Sequence, residues 1–338
     1  MPRTRTVSSS IAHMLAQFCV AFFALAPAMA LQSPAPASWF DDATVGAATV
    51  RRVARDRWKM WYAGRPRSFP KDIVPIGTGY VGLAESADGI EWHRVPGTGE
   101  LGSVLGPSGD ANTFDSSHVA VGDVLLPGDE PFYRMLYFAG DERAPKFGET
   151  TLPRGTVMSI GMATSATGVE WTREPGRLPS GALLEPSEGQ VFIGWPQLVR
   201  LPGSAEYRLY YHALAADKFR IQVASSSDLR HWTPHGCCLD VSSDASAFDA
   251  AGVSARSVVT DPTTGKLLMF YEGQDQQRRH AIGIAYGSPD GLQWTRRDDS
   301  GPVFEPSADE GAWDGAAVAR PCVVPMEDGS ARLYYLGR

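Results

Sequence analysis

Short apolar stretches rich in aromatic residues alternate with Gly-, Pro- and Asp-containing breaks along nearly the whole chain. This pattern predicts short strands and tight turns rather than long helices. One unit recurs five times, as Met60-Trp61-Tyr62-Ala63-Gly64, Leu136-Tyr137-Phe138-Ala139-Gly140, Leu209-Tyr210-Tyr211-His212-Ala213, Met269-Phe270-Tyr271-Glu272-Gly273 and Leu333-Tyr334-Tyr335-Leu336-Gly337. On this alignment Tyr62, Phe138, Tyr211, Tyr271 and Tyr335 are equivalent. After four of the copies comes a strand, an Asp/Gly turn and a second strand opening on Trp92, Trp171, Trp232 or Trp294. Before four of them stands an aromatic-Asp pair, Phe40-Asp41, Phe114-Asp115, Phe248-Asp249 or Trp313-Asp314. The third repeat replaces that pair with Phe192-Ile193-Gly194-Trp195-Pro196-Gln197.

A unit of four short antiparallel strands repeating every 60 to 76 residues cannot bury both faces alone and must stack on its neighbours. The predicted fold is therefore all-β, a five-bladed β-propeller with four-stranded antiparallel blades near 40–107, 114–186, 192–241, 248–306 and 313–338. The fifth blade stops after its second strand and is expected to be incomplete, through either a truncated chain or a weak, ragged closure against the first blade. Residues 31–39, a linker holding Pro34 and Pro36, are a poor substitute strand because Pro cannot donate to a ladder. Tight turns fall at one end of every blade, which sends the long connections 65–79 and 141–156 to the opposite end. Long loops on one face of a rigid scaffold make that end the expected working face.

The first 30 residues stand apart. Arg3 and Arg5 precede the uncharged apolar run 14–26 and then Ala28-Met29-Ala30, the order of a secretory leader. The expected location is outside the cytoplasm, with an organelle lumen reached through a bipartite targeting peptide as the alternative. Net charge is −7 with no run of Lys or Arg, which argues against a nucleic-acid partner. No membrane partner is expected once the leader is removed. Of four Cys, Cys19 lies in the leader, and the spacing of Cys237, Cys238 and Cys322 suggests no zinc site. No cofactor is expected, and no local spacing argues for a metal.

In its Phe-Asp-x-x-x-Val, Met-Trp-Tyr-Ala-Gly and Gly-Leu-Ala-x-Ser-x-Asp-Gly-x-x-Trp patterns, the chain from about residue 40 resembles the five-bladed propeller superfamily of glycoside hydrolases, with families 43, 32, 68 and 130. The resemblance implies a carbohydrate substrate and an acidic trio on the first three blades. Asp41 or Asp42 then matches the base or nucleophile, and Asp115 the orienting Asp. Where the family carries a general-acid Glu on the third blade, this chain has Gly194-Trp195-Pro196, and Glu188 is the nearest carboxylate.

The residues add their own candidates. Asp41, Asp115, Asp249 and Asp314 begin the first strand of their blades at the expected mouth, ~7 to 9 Å apart on a fivefold ring, where they either face a ligand or fix the entry turn. His212 and Glu272 stand where Ala63, Ala139 and Leu336 stand in other repeats, so a proton-carrying group twice replaces an aliphatic one. His118, Arg256 and Arg320 lie on inner strands near the channel, where Arg suits carboxylates, sugar hydroxyls or an acidic sugar. Trp195 is a candidate stacking platform and Gln197 a candidate ligand contact. Two functions fit: a glycosidase acting through carboxylates at the mouth, or a non-catalytic propeller binding a carbohydrate or protein there.

Overall fold

The computed structural model describes residues 18–20, 38–128, 131–147, 149–215, 218–261, 264–297, 301–309 and 311–338. Four antiparallel sheets of four strands follow one another along the chain. Their innermost strands are Thr44–Ala54, His118–Leu125, Gln190–Arg200 and Gly252–Thr260, and Val318–Pro325 is the counterpart in the fifth blade. Each packs on the next and Val318–Pro325 packs back on Thr44–Ala54, so the five blades close a ring. The aromatic strands Arg57–Arg65, Tyr133–Gly140, Tyr207–Ala215, Leu267–Gln274 and Ala331–Gly337 lie second, as the sequence predicts.

A belt of polar side chains ties the inner strands together. Thr49 donates to the Gly122 carbonyl at 2.9 Å, and Asp123 accepts from Leu198 N at 3.0 Å. Gln197 both accepts from Val258 N and donates to its carbonyl, and Ser257 accepts from Val323 N at 2.9 Å. Cys322 Sγ accepts from Val50 N at 3.4 Å and completes the circle. Buried backbone groups at the axis are thereby satisfied blade to blade.

Outside the belt, the first, third and fifth blades each grip the turn of the following one. Trp61 Nε1 donates to the Gly168 carbonyl, Tyr210 Oη to that of Gly291, and Tyr334 Oη to that of Gly89 at 3.0 Å. The recurring Trp residues pack over the same seam, with Trp171 on Trp61, Trp294 on Tyr210 and Trp92 on Tyr334, at 5.5 to 6.3 Å between ring centroids. The junction of the fifth and first blades thus uses the contacts of the first–second and third–fourth junctions. This corrects the expected ragged closure, because the second strand of a blade supplies the grip and the fifth blade keeps that strand.

Among the described residues the fifth blade is incomplete as expected, without the outer hairpin. Phe18–Val20, from the stretch that reads as a leader, pairs in parallel with the outer edge of Ala331–Gly337. Residues 31–37 lie outside the described residues.

Candidate functional site

The four repeated Asp residues are buried in one recurring arrangement, away from the mouth. Tyr62, Tyr137, Tyr271 and Tyr335 donate to Asp41, Asp115, Asp249 and Asp314 at 2.8 to 3.0 Å. In three blades an Arg from the outermost strand closes the cluster: Arg94 on Asp41 at 3.0 Å, Arg173 on Asp115 at 2.6 Å and Arg296 on Asp249 at 2.7 Å. The preceding aromatic lies against a third-strand glycine. A Cβ on Gly82 would fall 1.9 Å from Phe40, on Gly161 2.4 Å from Phe114, and on Gly283 2.5 Å from Phe248. Burial works against ionising Asp115, but the charge and hydrogen bond of Arg173 outweigh it and hold the carboxyl below its ordinary value. Burial and the adjacent Asp push the Tyr62, Tyr137 and Tyr271 hydroxyls up. In these three blades Tyr and Arg share one oxygen of each carboxylate, Oδ2, while Oδ1 of Asp41 and of Asp249 is buried with no hydrogen-bond partner among the described residues; the burial and the ion pair fit the scaffold alternative rather than a ring facing ligand.

The cluster corrects the repeat alignment by one residue. Tyr137, not Phe138, makes the hydrogen bond that Tyr62 and Tyr271 make, and it pairs with Gly161 as they pair with Gly82 and Gly283. Side chains alternate between faces along a strand, so this slip turns Phe138, in place of Ala139, to the side that carries His212 and Glu272.

On that side two cavities adjoin. The mouth cavity, about 180 Å³, has an aromatic wall from the third blade (Phe192, Trp195, His212 and Phe219) and a polar wall from the fourth (Ser254, Glu272, Gln274 and His280). Ile76 from the long first-blade loop and Arg320 from the fifth blade complete the lining. Beneath it an axial cavity of about 40 Å³ is bordered by Arg51, Asp123, Gln197, Arg256 and, shared with the mouth, Trp195 and Arg320. Every inner strand has a β-bulge near this level. At two of them a bulky residue occupies the left-handed region, Trp195 with φ 48° and Arg320 with φ 53°. Such backbone costs about 1–2 kcal/mol per residue, and strain of this kind concentrates at working sites.

Trp195 lies between Phe138 at 4.3 Å and His212 at 4.5 Å, with the Arg320 guanidinium 5.0 Å from its ring. His212 accepts from Ala255 N at its Nδ1, which leaves the proton of the neutral ring on Nε2. Burial, then the charges of Arg256 and Arg320, keep the imidazole well below its ordinary pKa. Glu272 accepts from His280 Nδ1 at 2.7 Å and from the Arg320 backbone N–H at 3.0 Å, while Gln274 donates to His280 Nε2 at 2.9 Å. The Glu272 carboxylate is thus held from two neighbouring strands, His280–Gly287 and Val318–Pro325.

Of the sequence candidates, the structure brings together Trp195, His212, Glu272, Arg256 and Arg320. Gln197 borders the axial cavity, with its amide bonded to Val258. Asp42 caps the backbone of Arg67 at 2.7 Å. Glu188 is exposed in a turn before the third inner strand. His118 is fully buried, donating to the Gly155 carbonyl at 2.9 Å, and burial lowers its pKa to about 4. Neither Asp41, Asp115, Asp249 nor Asp314 borders these cavities. Sequence reasoning missed His280 and Phe138, and with them Arg94, Arg173 and Arg296, whose recurring Trp-x-Arg spacing was open to view.

No family model and no curated protein sequence matches the chain. Solved structures do. A glycosyl hydrolase from Bacteroides ovatus is 17% identical with a TM-score of 0.61, over 87% of this chain and 81% of that one. A β-1,2-mannobiose phosphorylase from Listeria innocua is also 17% identical with a TM-score of 0.61, over 87% of each chain. Sucrose-6-phosphate hydrolase from Lactobacillus gasseri is 15% identical with a TM-score of 0.58 over 85% of this chain, which spans only 52% of that protein. The chain therefore has the fold of the glycoside hydrolase-like five-bladed propellers.

Proposed function

We propose that this protein recognises a carbohydrate in the mouth cavity and does so without cleaving it by the two-carboxylate route. The single observation that carries this reading is that, of the candidate carboxylates, only Glu272 borders the mouth cavity. Direct glycoside hydrolysis commonly takes two carboxyl groups, ~5 to 9.5 Å apart. Glu272, moreover, accepts hydrogen bonds at both oxygens, which suits a fixed acceptor better than an acid with a proton to give. An aromatic wall facing a polar wall suits the apolar face and the hydroxyl edge of a sugar. The leader-like N-terminus supports an extracytoplasmic setting for such a ligand.

The test is a panel of oligosaccharides followed by both calorimetry and release of reducing ends. Binding without turnover, weakened by Glu272→Gln, is the expected result. Turnover that is lost in Asp115→Asn and kept in Asp314→Asn would instead establish the hydrolase reading.

A further inference from the structure

Both cavities present hydrogen-bond donors without acceptors to match. Trp195 Nε1, His212 Nε2, and Arg256 Nε and Nη1 are buried with no hydrogen-bond partner among the described residues. His212 is 4% exposed and Arg256 7%. Arg51 has a carboxylate at hand, since it pairs with Asp123, and Asp123 also accepts from Val124 N and Leu198 N. Arg256 has no ion pair within the described residues, and neither does the Arg320 guanidinium.

A buried, unpaired guanidinium is costly in a protein interior, and leaving its donors unmatched adds to that cost. Arg256 is such a group, and the half-buried Arg320 adds a second positive charge at the neighbouring bulge of the same axis, so that the two call for a shared counter-ion. Arg256 belongs to the axial cavity, while Arg320 and Trp195 border both cavities. A volume of about 40 Å³ holds an acid group but not a sugar ring, whereas the mouth cavity directly above is several times larger.

We infer that the ligand is an acidic sugar whose ring sits in the mouth cavity and whose oxyanion group, a carboxylate or an ester sulfate, enters the axial cavity between Arg256 and Arg320. This rests on the carbohydrate reading and narrows it to a charged class. His212 Nε2–H and Trp195 Nε1–H are placed to donate to the same group or to the ring oxygens beside it. Arg suits this task because its fork of donors matches a planar carboxylate and its charge persists after desolvation. Burial draws the Arg256 guanidinium down only to about 9, so it stays charged at neutral pH.

The experiment is calorimetry at constant ionic strength with glucuronate- and galacturonate-containing oligosaccharides, their neutral glucose and galactose counterparts, and inorganic phosphate or sulfate alone. The acidic sugars are expected to bind about ten- to a hundredfold more tightly than the neutral ones. Arg256→Gln and Arg320→Gln should abolish that preference, while Arg220→Gln, a surface residue paired with Asp240, should keep it. Because either site variant risks misfolding, its thermal transition is recorded without ligand. Removing an unpaired buried charge should leave that transition unchanged or higher, and a large loss would overturn the inference by showing that the Arg is already compensated. Equal affinity for acidic and neutral sugars would overturn the oxyanion site and leave the carbohydrate reading intact. Phosphate or sulfate binding as tightly as any acidic sugar would overturn the claim that the sugar carries the anion. If only the carbohydrate reading fails, no sugar of either class binds, and the inference falls with it.

Discussion

The third blade differs from its neighbours in several places at once. Where blades one, two and four place an aromatic-Asp pair against a third-strand glycine and close it with Tyr and Arg, the third has Glu188-Gly189 in place of the pair, Gln222 in place of the glycine, and Pro234 in place of the Arg. That same blade supplies the aromatic wall of the mouth cavity, Phe192, Trp195, His212 and Phe219. Repetition marks what every blade needs to stand, and departure from it marks what one location needs to do. The lesson is chemical: a carboxylate buried against Tyr and Arg in several blades is anchored within its own blade rather than presented to a ligand.

Removing a repeated Asp gives the largest expected effect and the sharpest attack on this contrast. Asp249→Ala or Asp115→Ala leaves an Arg and a Tyr hydroxyl facing an apolar gap. Losing one partner of a buried pair costs about 3–5 kcal/mol, and since the Arg side chains here are a quarter to a third exposed, the lower end is expected. Urea denaturation reads that loss, while ligand affinity in the folded fraction should stay at the wild-type value. Affinity that collapses with the denaturation midpoint unmoved would break the comparison and return the Asp ring to the site.

Next in size is an acid limb set by buried imidazoles. His118 is neutral in the fold with its pKa drawn down to about 4 by burial, whereas the unfolded chain takes up that proton near 6.5. Between those values the unfolded state binds more protons, so stability is complete above about pH 6.5 and declines as pH falls toward 4, by up to about 3 kcal/mol. His212 acts in the same direction. Denaturation midpoints from pH 7 to 4 should show this slope, and His118→Gln should flatten it. A variant with the same slope as wild type would remove His118 from the account.

The fold was legible because three signatures recur in fixed order, one in all five blades and the other two in four. The strand order followed from them, although the one-residue slip in blade two was invisible: Tyr137 and Phe138 are both aromatic, and only the Asp115 hydrogen bond tells which one faces inward. The scaffold role of the Asp residues was half legible. Trp92-His93-Arg94, Trp171-Thr172-Arg173 and Trp294-Thr295-Arg296 recur in the blades that carry Phe-Asp and fail in blade three, so partner and Asp vary together. His212 and Glu272 were found as departures from the repeat. His280 was not, because it lies across the sheet from Glu272 and its role exists only through that pairing. The belt was hidden for a different reason, since Thr49, Asp123, Gln197, Ser257 and Cys322 perform one task with five residue types.

A smaller effect separates binding from stability within the mouth. Glu272→Gln keeps the volume of the side chain but replaces one acceptor by a donor, which must then confront either His280 Nδ1–H or the Arg320 N–H. One lost charge-assisted bond is worth about 1.5–3 kcal/mol before relaxation, and rotation of the His280 ring offsets part of it. The expected stability loss is therefore about 1–2 kcal/mol, with a disproportionate fall in ligand affinity as Arg320 loses its anchor. Equal proportional losses in Glu272→Gln and Asp115→Ala would erase the distinction between the two regions.

The smallest expected effect tests the closure of the ring. Cys322 accepts from Val50 N across the junction of the fifth and first blades, in the place that Ser257 occupies at the preceding junction. Cys322→Ala leaves that buried N–H without an acceptor and should cost about 1 kcal/mol. Cys322→Ser supplies the acceptor found at the preceding junction, and should restore most of the loss despite being the more polar change. Thermal melts of the two variants decide the matter by their order. If the Ala variant is the more stable, packing of the sulfur rather than the belt closes the propeller, and the fifth junction differs from the others after all.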